Sequence, residues 1–241
     1  MLLVLALLLP AFLLSPGIPG DDGLLRLWWG LSLSASKYGL VWTALVFFLM
    51  LGMPVRSLAR VLLPVLLMIG AGAWVNEHLL KPAVAQPRPN IVFLTSAAAG
   101  PVLPEGAGAF YDLPDKASRS RRLAQALGTA PLPLPVLLRE HWTEETGYSF
   151  PSGHAFAATA LAAWLSLWVI CGGRRSWLLP VFWGWMLAVC YSRIELGVHR
   201  PVDIAAGAVE GLTLVMLVSV GLDRLGWSGS ESNGEDAAKF R

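Results

Sequence analysis

Long apolar runs separated by short polar turns dominate the chain. Six segments read as hydrophobic: residues 2–14, 38–55, 58–80, 153–171, 177–196 and 202–222. A helix needs about 20 apolar residues to cross a bilayer core of about 30 Å. Segment 2–14 is short, near the length of a signal-peptide h-region, but it lacks a basic start. Ser15-Pro16-Gly17 is also a poor cleavage site, so the segment is expected to be a retained span. The pattern predicts an all-α integral membrane protein with six transmembrane helices over residues 1–226 and a polar, disordered tail at 227–241. Residues 21–37 read as a connector whose Trp28 and Trp29 suit a membrane interface. In the third span, Pro64 and Gly70-Ala71-Gly72 are candidates for a kink or a close helix contact. The polar stretch 81–150 between spans 3 and 4 is expected to be extracytoplasmic and partly helical, with amphipathic helices over 115–127 and 134–145.

Composition agrees with this pattern. Of 241 residues, 55% are hydrophobic and 14% charged, against about 45–50% and about 25% in soluble domains. Mean hydropathy is +0.59. Disorder and an ordinary soluble fold are excluded, and a net charge of +2 is too small to point to nucleic acid. Eleven Trp residues suit anchoring at two interfaces. Cys171 and Cys190 lack metal or redox spacing and are expected to be free thiols at different depths.

Successive connectors must alternate across the bilayer. Arg56 and Arg60 follow span 2, and Arg174 and Arg175 follow span 4, with no acid among them. Arg224, Lys239 and Arg241 share that side, so the positive-inside rule makes it cytoplasmic. Arg26, Lys37, Arg193 and Arg200 lie opposite.

Three polar clusters fall on this opposite side: Lys81 to Pro89 after span 3, Pro151-Ser152-Gly153-His154 at the start of span 4, and Ser192 to Asp203 between spans 5 and 6. Lys81, Arg88 and Arg193 supply cations, and Ser152 supplies a hydroxyl. Gly153 opens a helix whose free N–H groups can face an anion. Together these are suited to hold a phosphate. His154 sits beside the anion, and His199 and Asp203 are four apart on one helix face. A carboxylate on one imidazole nitrogen leaves the other free to attack, so the set points to phosphoryl transfer. His154, His199 and Asp203 are metal ligands in principle, but a phosphate clamp explains more residues without an ion.

At these residues the chain resembles the type 2 phosphatidic acid phosphatase (lipid phosphate phosphatase) superfamily. Lys81 with Arg88-Pro89, Pro151 to His154, and Ser192-Arg193 with His199 and Asp203 match its three motifs over residues 81–203, about half the chain. The resemblance implies that His199 is the nucleophile, Asp203 orients it and His154 protonates the leaving oxygen. It implies that Lys81, Arg88, Ser152, Gly153 and Arg193 bind the phosphoryl oxygens, and that no metal or other cofactor takes part. His141 to Phe150, Phe110-Tyr111 and the six-span layout are similar to the bacterial phosphatidylglycerophosphatase B subgroup. That subgroup implies an inner-membrane enzyme with a periplasmic site, acting on phosphatidylglycerol phosphate, undecaprenyl pyrophosphate or phosphatidic acid-like lipids. The lipid phosphate would enter sideways from the bilayer. The chain departs from the subgroup in its shorter start and its loop residues between Asn90 and Leu137.

Other readings remain open at this point. A lipid phosphotransferase needs the same residues, and an anionic lipid transporter is expected to carry midplane charges, of which Glu210 is the main candidate. Glu210 is otherwise a packing group beside Gly207-x-x-x-Gly211. Glu77 is placed to hold Lys81, and Glu195 either to brace Arg193 or to be solvated. His78 and His141 read as interfacial, and the basic run Arg119, Arg121, Arg122 as a solvated face or a contact for anionic headgroups. Oligomeric state is not legible.

Overall fold

A computed structural model describes residues 6, 8–10, 22–100, 102–173 and 175–224. Most of the expected first span, the side chain of Arg174 and the 227–241 tail lie outside the described residues. Among the described residues every regular element is helical.

Helix α1 (Asp22–Ser34) and α2 (Gly39–Leu51) meet at an 80° elbow. Helix α3 runs Val55–Val84, α8 Gly153–Gly172, α9 Leu178–Glu195 and α10 Pro201–Arg224. Between α3 and α8 lie α4 (Pro89–Leu94), α5 (Gly106–Tyr111), α6 (Lys116–Thr129) and α7 (Val136–Glu144). Helices α6 and α7 correspond to the two amphipathic segments expected in the polar region.

Among the described residues three helices are long and apolar enough to cross a membrane: α3, α8 and Pro201–Leu222 of α10. The α1–α2 pair makes a fourth if its two limbs act as one broken span. Helix α2 has 13 residues, about 20 Å at 1.5 Å per residue, which is short of a bilayer core. Helix α9 falls short in apolarity because its last turn carries Ser192, Arg193 and Glu195.

One expectation is corrected outright: residues 21–37 are not simply a connector, because most of them form α1. Asp22, Arg26 and Gly30 make the stretch look like a linker. Burial of Leu25 and Ser32 gives it a packed face, and α1 lies against α9.

Helix α8 is the central post. Its apolar window is 72% buried, against 28% for α3 and 33% for α10. Its alanines leave room for neighbours on every side, with Ala155, Ala158, Ala160 and Ala162 fully enclosed. Helix α10 uses that room through two glycines. A Cβ on Gly207 would stand 2.3 Å from the Ser152 carbonyl oxygen, and one on Gly211 2.4 Å from that of Phe156. On the other side, Gly72 of α3 meets the Phe156 ring, where a Cβ would lie 2.2 Å from Cζ. Pro64 sits inside an unbroken helix, and the irregular part of α3 lies later, in a π turn at Asn76–Leu80.

A second core covers one end of the bundle. Leu103, Phe110, Leu123, Leu138 and Trp142 pack with Leu25 of α1 and with Leu196 and Val198 of the α9–α10 loop. The Trp142 indole N–H donates to the Leu196 carbonyl at 2.8 Å. The 81–150 region is thereby fastened over the loop that carries His199.

Gly207→Ala and Gly211→Ala are expected to lower stability by about 1–3 kcal/mol each, because the methyl must push two backbones apart. Gly184→Ala on α9 meets nothing within 4 Å. It is expected to gain up to about 1 kcal/mol of helix propensity. Thermal unfolding in detergent would read the opposite signs.

Candidate active site

The three polar clusters converge at the covered end of the bundle. Lys81, Arg88, Gly153, His154 and His199 line one pocket of about 280 Å³, together with Glu77, Glu145 and Lys116. Lys81 and Arg88 come from the end of α3 and the loop after it, Gly153 and His154 from the first turn of α8, and His199 from the α9–α10 loop. Ser152 and Asp203 are also close, with the Ser152 N–H donating to the Asp203 carbonyl at 2.9 Å.

Local structure explains each placement. The π turn ends at Lys81, and Ala85 leaves the helix with φ 49, so the chain turns sharply before Arg88. Glu77 and Lys81 face one another at 2.6 Å, the i,i+4 pair expected. Ser152 caps α8, its hydroxyl accepting from the Ala155 N–H at 3.4 Å. That hydroxyl is therefore fully buried and does not line the pocket. Asp203 enters in the first turn of α10, where its Oδ2 accepts from the Arg200 N–H at 2.8 Å. His199 Nδ1 stands 3.5 Å from the same oxygen, within ion-pair reach but longer than an ordinary hydrogen bond. Such contacts commonly tighten only when substrate is bound.

The other imidazole nitrogen faces the cations, with His199 Nε2 3.2 Å from Arg88 Nη1. A guanidinium is only a donor, so this contact assigns the lone pair to Nε2 and the proton to Nδ1, facing Asp203. Burial, and then the charges of Arg88 and Arg193, hold the imidazole well below its ordinary value and keep it neutral.

Arg88 is nearly enclosed. Its Nε donates to the Gly147 carbonyl at 2.9 Å, and its backbone N–H to the Tyr111 hydroxyl at 3.1 Å. Tyr111 stacks on Tyr148 with ring centroids 4.7 Å apart, and the Arg119 guanidinium lies 5.5 Å from the Tyr111 centroid. One member of the basic run thus supports the site from behind. Arg122 instead pairs with Glu105 at 2.8 Å.

Glu145 joins the two arginines. Its Oε2 lies 2.8 Å from Arg88 Nη2, and its Oε1 pairs with Arg193 Nη2. Burial alone would raise this carboxyl, but the guanidiniums of Arg193 and Arg88 outweigh it and hold it well below the usual carboxylate range. Arg193 is fully buried, does not line the pocket, and also donates to the Ser32 hydroxyl of α1. The brace expected from Glu195 is supplied by Glu145, because the α9 C-terminus carries Arg193 inward beneath the 81–150 region. His141 is not interfacial. It is buried with Nε2 3.4 Å from Arg193 Nη1, and burial, with help from Arg193, lowers its imidazole to about 4. His78 is exposed and stacks on Trp74 at 4.9 Å.

Glu210 accepts from the Asn76 amide at 3.0 Å, the hydrogen-bonded packing reading of that residue. Both cysteines are free. Among the described residues no three His, Cys, Asp or Glu side chains are grouped to hold a metal ion.

The PAP2 superfamily model matches residues 61–227. The chain belongs to that superfamily. It is 29% identical over 153 residues to phosphatidylglycerophosphatase B of Escherichia coli K12, covering 64% of this chain and 56% of that protein. The chain thus spans a little over half the length of this curated relative. It is 33% identical over 81 residues to an undecaprenyl-diphosphatase of Sulfolobus acidocaldarius, covering 34% of this chain and 36% of the other. In overall fold it is similar to the crystal structure of a transmembrane PAP2 type phosphatidylglycerolphosphate phosphatase from Bacillus subtilis. The TM-score there is 0.52 at 18% identity, over 92% of this chain and 85% of that one.

Glu145→Ala strands two guanidiniums in a buried site, where breaking such a pair costs roughly 3–5 kcal/mol. The variant is expected to unfold at lower temperature. Orthovanadate, a phosphate mimic, is expected to restore more stability to it than to the wild type.

Proposed function

We propose that this PAP2 member is a membrane lipid phosphatase that releases a terminal phosphate from phosphatidylglycerol phosphate, undecaprenyl pyrophosphate or phosphatidic acid-like lipids. The observation that carries this reading is the His199 contact pair, with Nδ1 toward Asp203 and Nε2 toward the Arg88 guanidinium. A phosphate held by Arg88 would stand directly in front of an unprotonated nitrogen.

In this mechanism Nε2 of His199 attacks phosphorus in line and forms a phosphohistidine. The bond from phosphorus to the lipid oxygen breaks, and that oxygen takes a proton from His154. Water then cleaves the phosphohistidine, with His154 accepting its proton. Asp203 holds the imidazole in register and offsets the positive charge that grows on it. Lys81, Arg88 and the Gly153 N–H stabilise the phosphoryl oxygens, and Arg193, buried behind them, acts through Glu145, whose carboxylate it holds against Arg88. Ser152 contributes through the cap that aims the first turn of α8. No metal or other cofactor has a part in these steps.

Residues 1–226 would form the multi-pass domain of a bacterial inner-membrane protein, with 81–150 covering the periplasmic end. The polar residues of the site gather at one end of the bundle. Arg175 lies at the other, donating to the Met50 carbonyl at 2.6 Å, as the positive-inside rule expects of a cytoplasmic face. The six-span layout remains part of this proposal. A phosphotransferase would use the same phosphohistidine, with a lipid hydroxyl in place of water. Glu210 is hydrogen bonded to Asn76 rather than set in an open path, which disfavours transport.

Phosphate release by purified protein in excess EDTA is the test, and His199→Ala is expected to lower it by at least about a thousandfold. A ³²P label trapped on wild-type protein and absent from the variant would support the intermediate. Label found on an added lipid acceptor instead of free phosphate would favour transfer. Release that needs added metal, or survives His199→Ala, would overturn the mechanism. Because His199 must be unprotonated and its pKa is depressed, the acid limb of kcat/KM is expected below pH 6.5, with activity lost only as pH falls further.

A further inference from the structure

The pocket contains a cation that the three motifs do not account for. Lys116, the first residue of α6, lines it with Glu77 and Glu144. His199 and Arg88 form the buried floor, whereas Lys116 and Glu144 are exposed at the rim. The motif cations that line the pocket are already paired, Lys81 with Glu77 at 2.6 Å and Arg88 with Glu145 at 2.8 Å. The Lys116 ammonium has no ion-pair partner within 4.0 Å among the described residues, although it lies near enough to Glu77 to interact with it electrostatically. Glu77 is on α3, one turn before Lys81, where Leu79, Leu80 and Val84 expose an apolar face. Lys116 and Glu77 thus share the rim of the pocket, next to the exposed apolar side chains at the end of α3. The volume of about 280 Å³ equals several waters at about 30 Å³ each, more than one phosphoryl group fills.

We propose that Lys116 anchors a second phosphate subsite and makes the pocket selective for lipid diphosphates over lipid monophosphates. The inference rests on the phosphatase reading above and deepens it. In the diphosphate reaction, His199 Nε2 bonds to the terminal phosphorus and the bond from that phosphorus to the bridging oxygen breaks. The electron pair stays on the bridging oxygen, so the leaving group is a lipid monophosphate carrying extra negative charge. The ammonium of Lys116 lies where that charge collects, and His154 delivers its proton to the same leaving group. A phosphatidic acid-like lipid departs as a phosphate-free alcohol and offers Lys116 no phosphate. A charge-assisted contact of this kind is worth about tenfold or more in affinity.

Two unreactive probes test the subsite without any turnover: methylenediphosphonate and methylphosphonate, with affinities read by thermal shift on the purified full chain. Wild type is expected to prefer the diphosphonate by about tenfold or more. Lys116→Ala is expected to lose most of that preference, and Lys116→Arg to keep it. The absence of a preference in wild type, or its survival in Lys116→Ala, would overturn the proposal and leave Lys116 a solvated rim residue. In parallel, the kcat/KM ratio for farnesyl diphosphate over dioctanoyl phosphatidate is expected to fall by about tenfold in Lys116→Ala. Arg121→Ala, on the same helix but outside the pocket, is expected to leave the ratio unchanged. If wild type releases phosphate from neither lipid, the phosphatase reading fails, while the phosphonate affinities still decide the subsite.

Discussion

The site depends on one half-buried carboxylate. Glu145 spans Arg88 and Arg193, two guanidiniums that the fold encloses almost completely. Two such cations held close without an anion would repel one another and lack solvation, a cost of several kcal/mol per buried ion. Glu145 between them satisfies both guanidiniums, and one of the two, Arg88, is a donor that the proposed mechanism assigns to a phosphate. In that mechanism a phosphoryl group at the floor would meet an Arg88 that is already oriented. Orientation fixed before the reaction is the main source of electrostatic catalysis in phosphoryl transfer.

Much of the remaining structure keeps that pair of arginines in place. Arg193 is brought in by the last turn of α9 and held by Ser32, which places α1 in the support of the site. Arg88 is held from the other side by the Gly147 carbonyl, the Tyr111 hydroxyl and the stacked Tyr111–Tyr148 pair. The 81–150 region is thus more than a cover, because it supplies Glu145 and the Gly147 carbonyl that aim Arg88. His199 enters from a third direction, on a loop tied to this region through Trp142 and Leu196. Close packing of α10 on α8, through Gly207 and Gly211, sets the distance between the two histidine-bearing segments.

The charge distribution follows the same logic. Cations and carboxylates alternate through the pocket, so its field is strong locally while the net charge of the chain stays at +2. Neutral His199 among those cations is the expected consequence of burial beside Arg88 and Arg193. A base that stays unprotonated is what nucleophilic attack on phosphorus requires.

Hydropathy alone was enough to establish an apolar, all-helical chain and the long helices α3, α8 and α10, because about 20 apolar residues in a row leave a bilayer span as the cheapest way to satisfy the backbone. Residue type and position singled out Lys81, Arg88, Gly153, His154 and His199, which line the pocket. His199 lies in the loop before α10, so its approach to Asp203 is a loop-to-helix contact. Spacing marked the Glu77–Lys81 contact, because an i,i+4 pair shares a helix face. It also marked the Gly207-x-x-x-Gly211 contact with α8. Tertiary structure decided what no local pattern encodes. Glu145 lies 48 residues from Arg193, so its role as the brace expected of Glu195 depends on how the long polar region folds back. The same folding moved His141 from an interface to a buried place behind Arg193, and put the Ser152 hydroxyl on a helix cap instead of in the pocket. It made Asp22–Ser34 a helix against α9, with Ser32 held by Arg193 and Leu25 buried in the second core. Local preference is set within a few residues, whereas burial of a charge is settled by whichever distant group arrives to neutralise it.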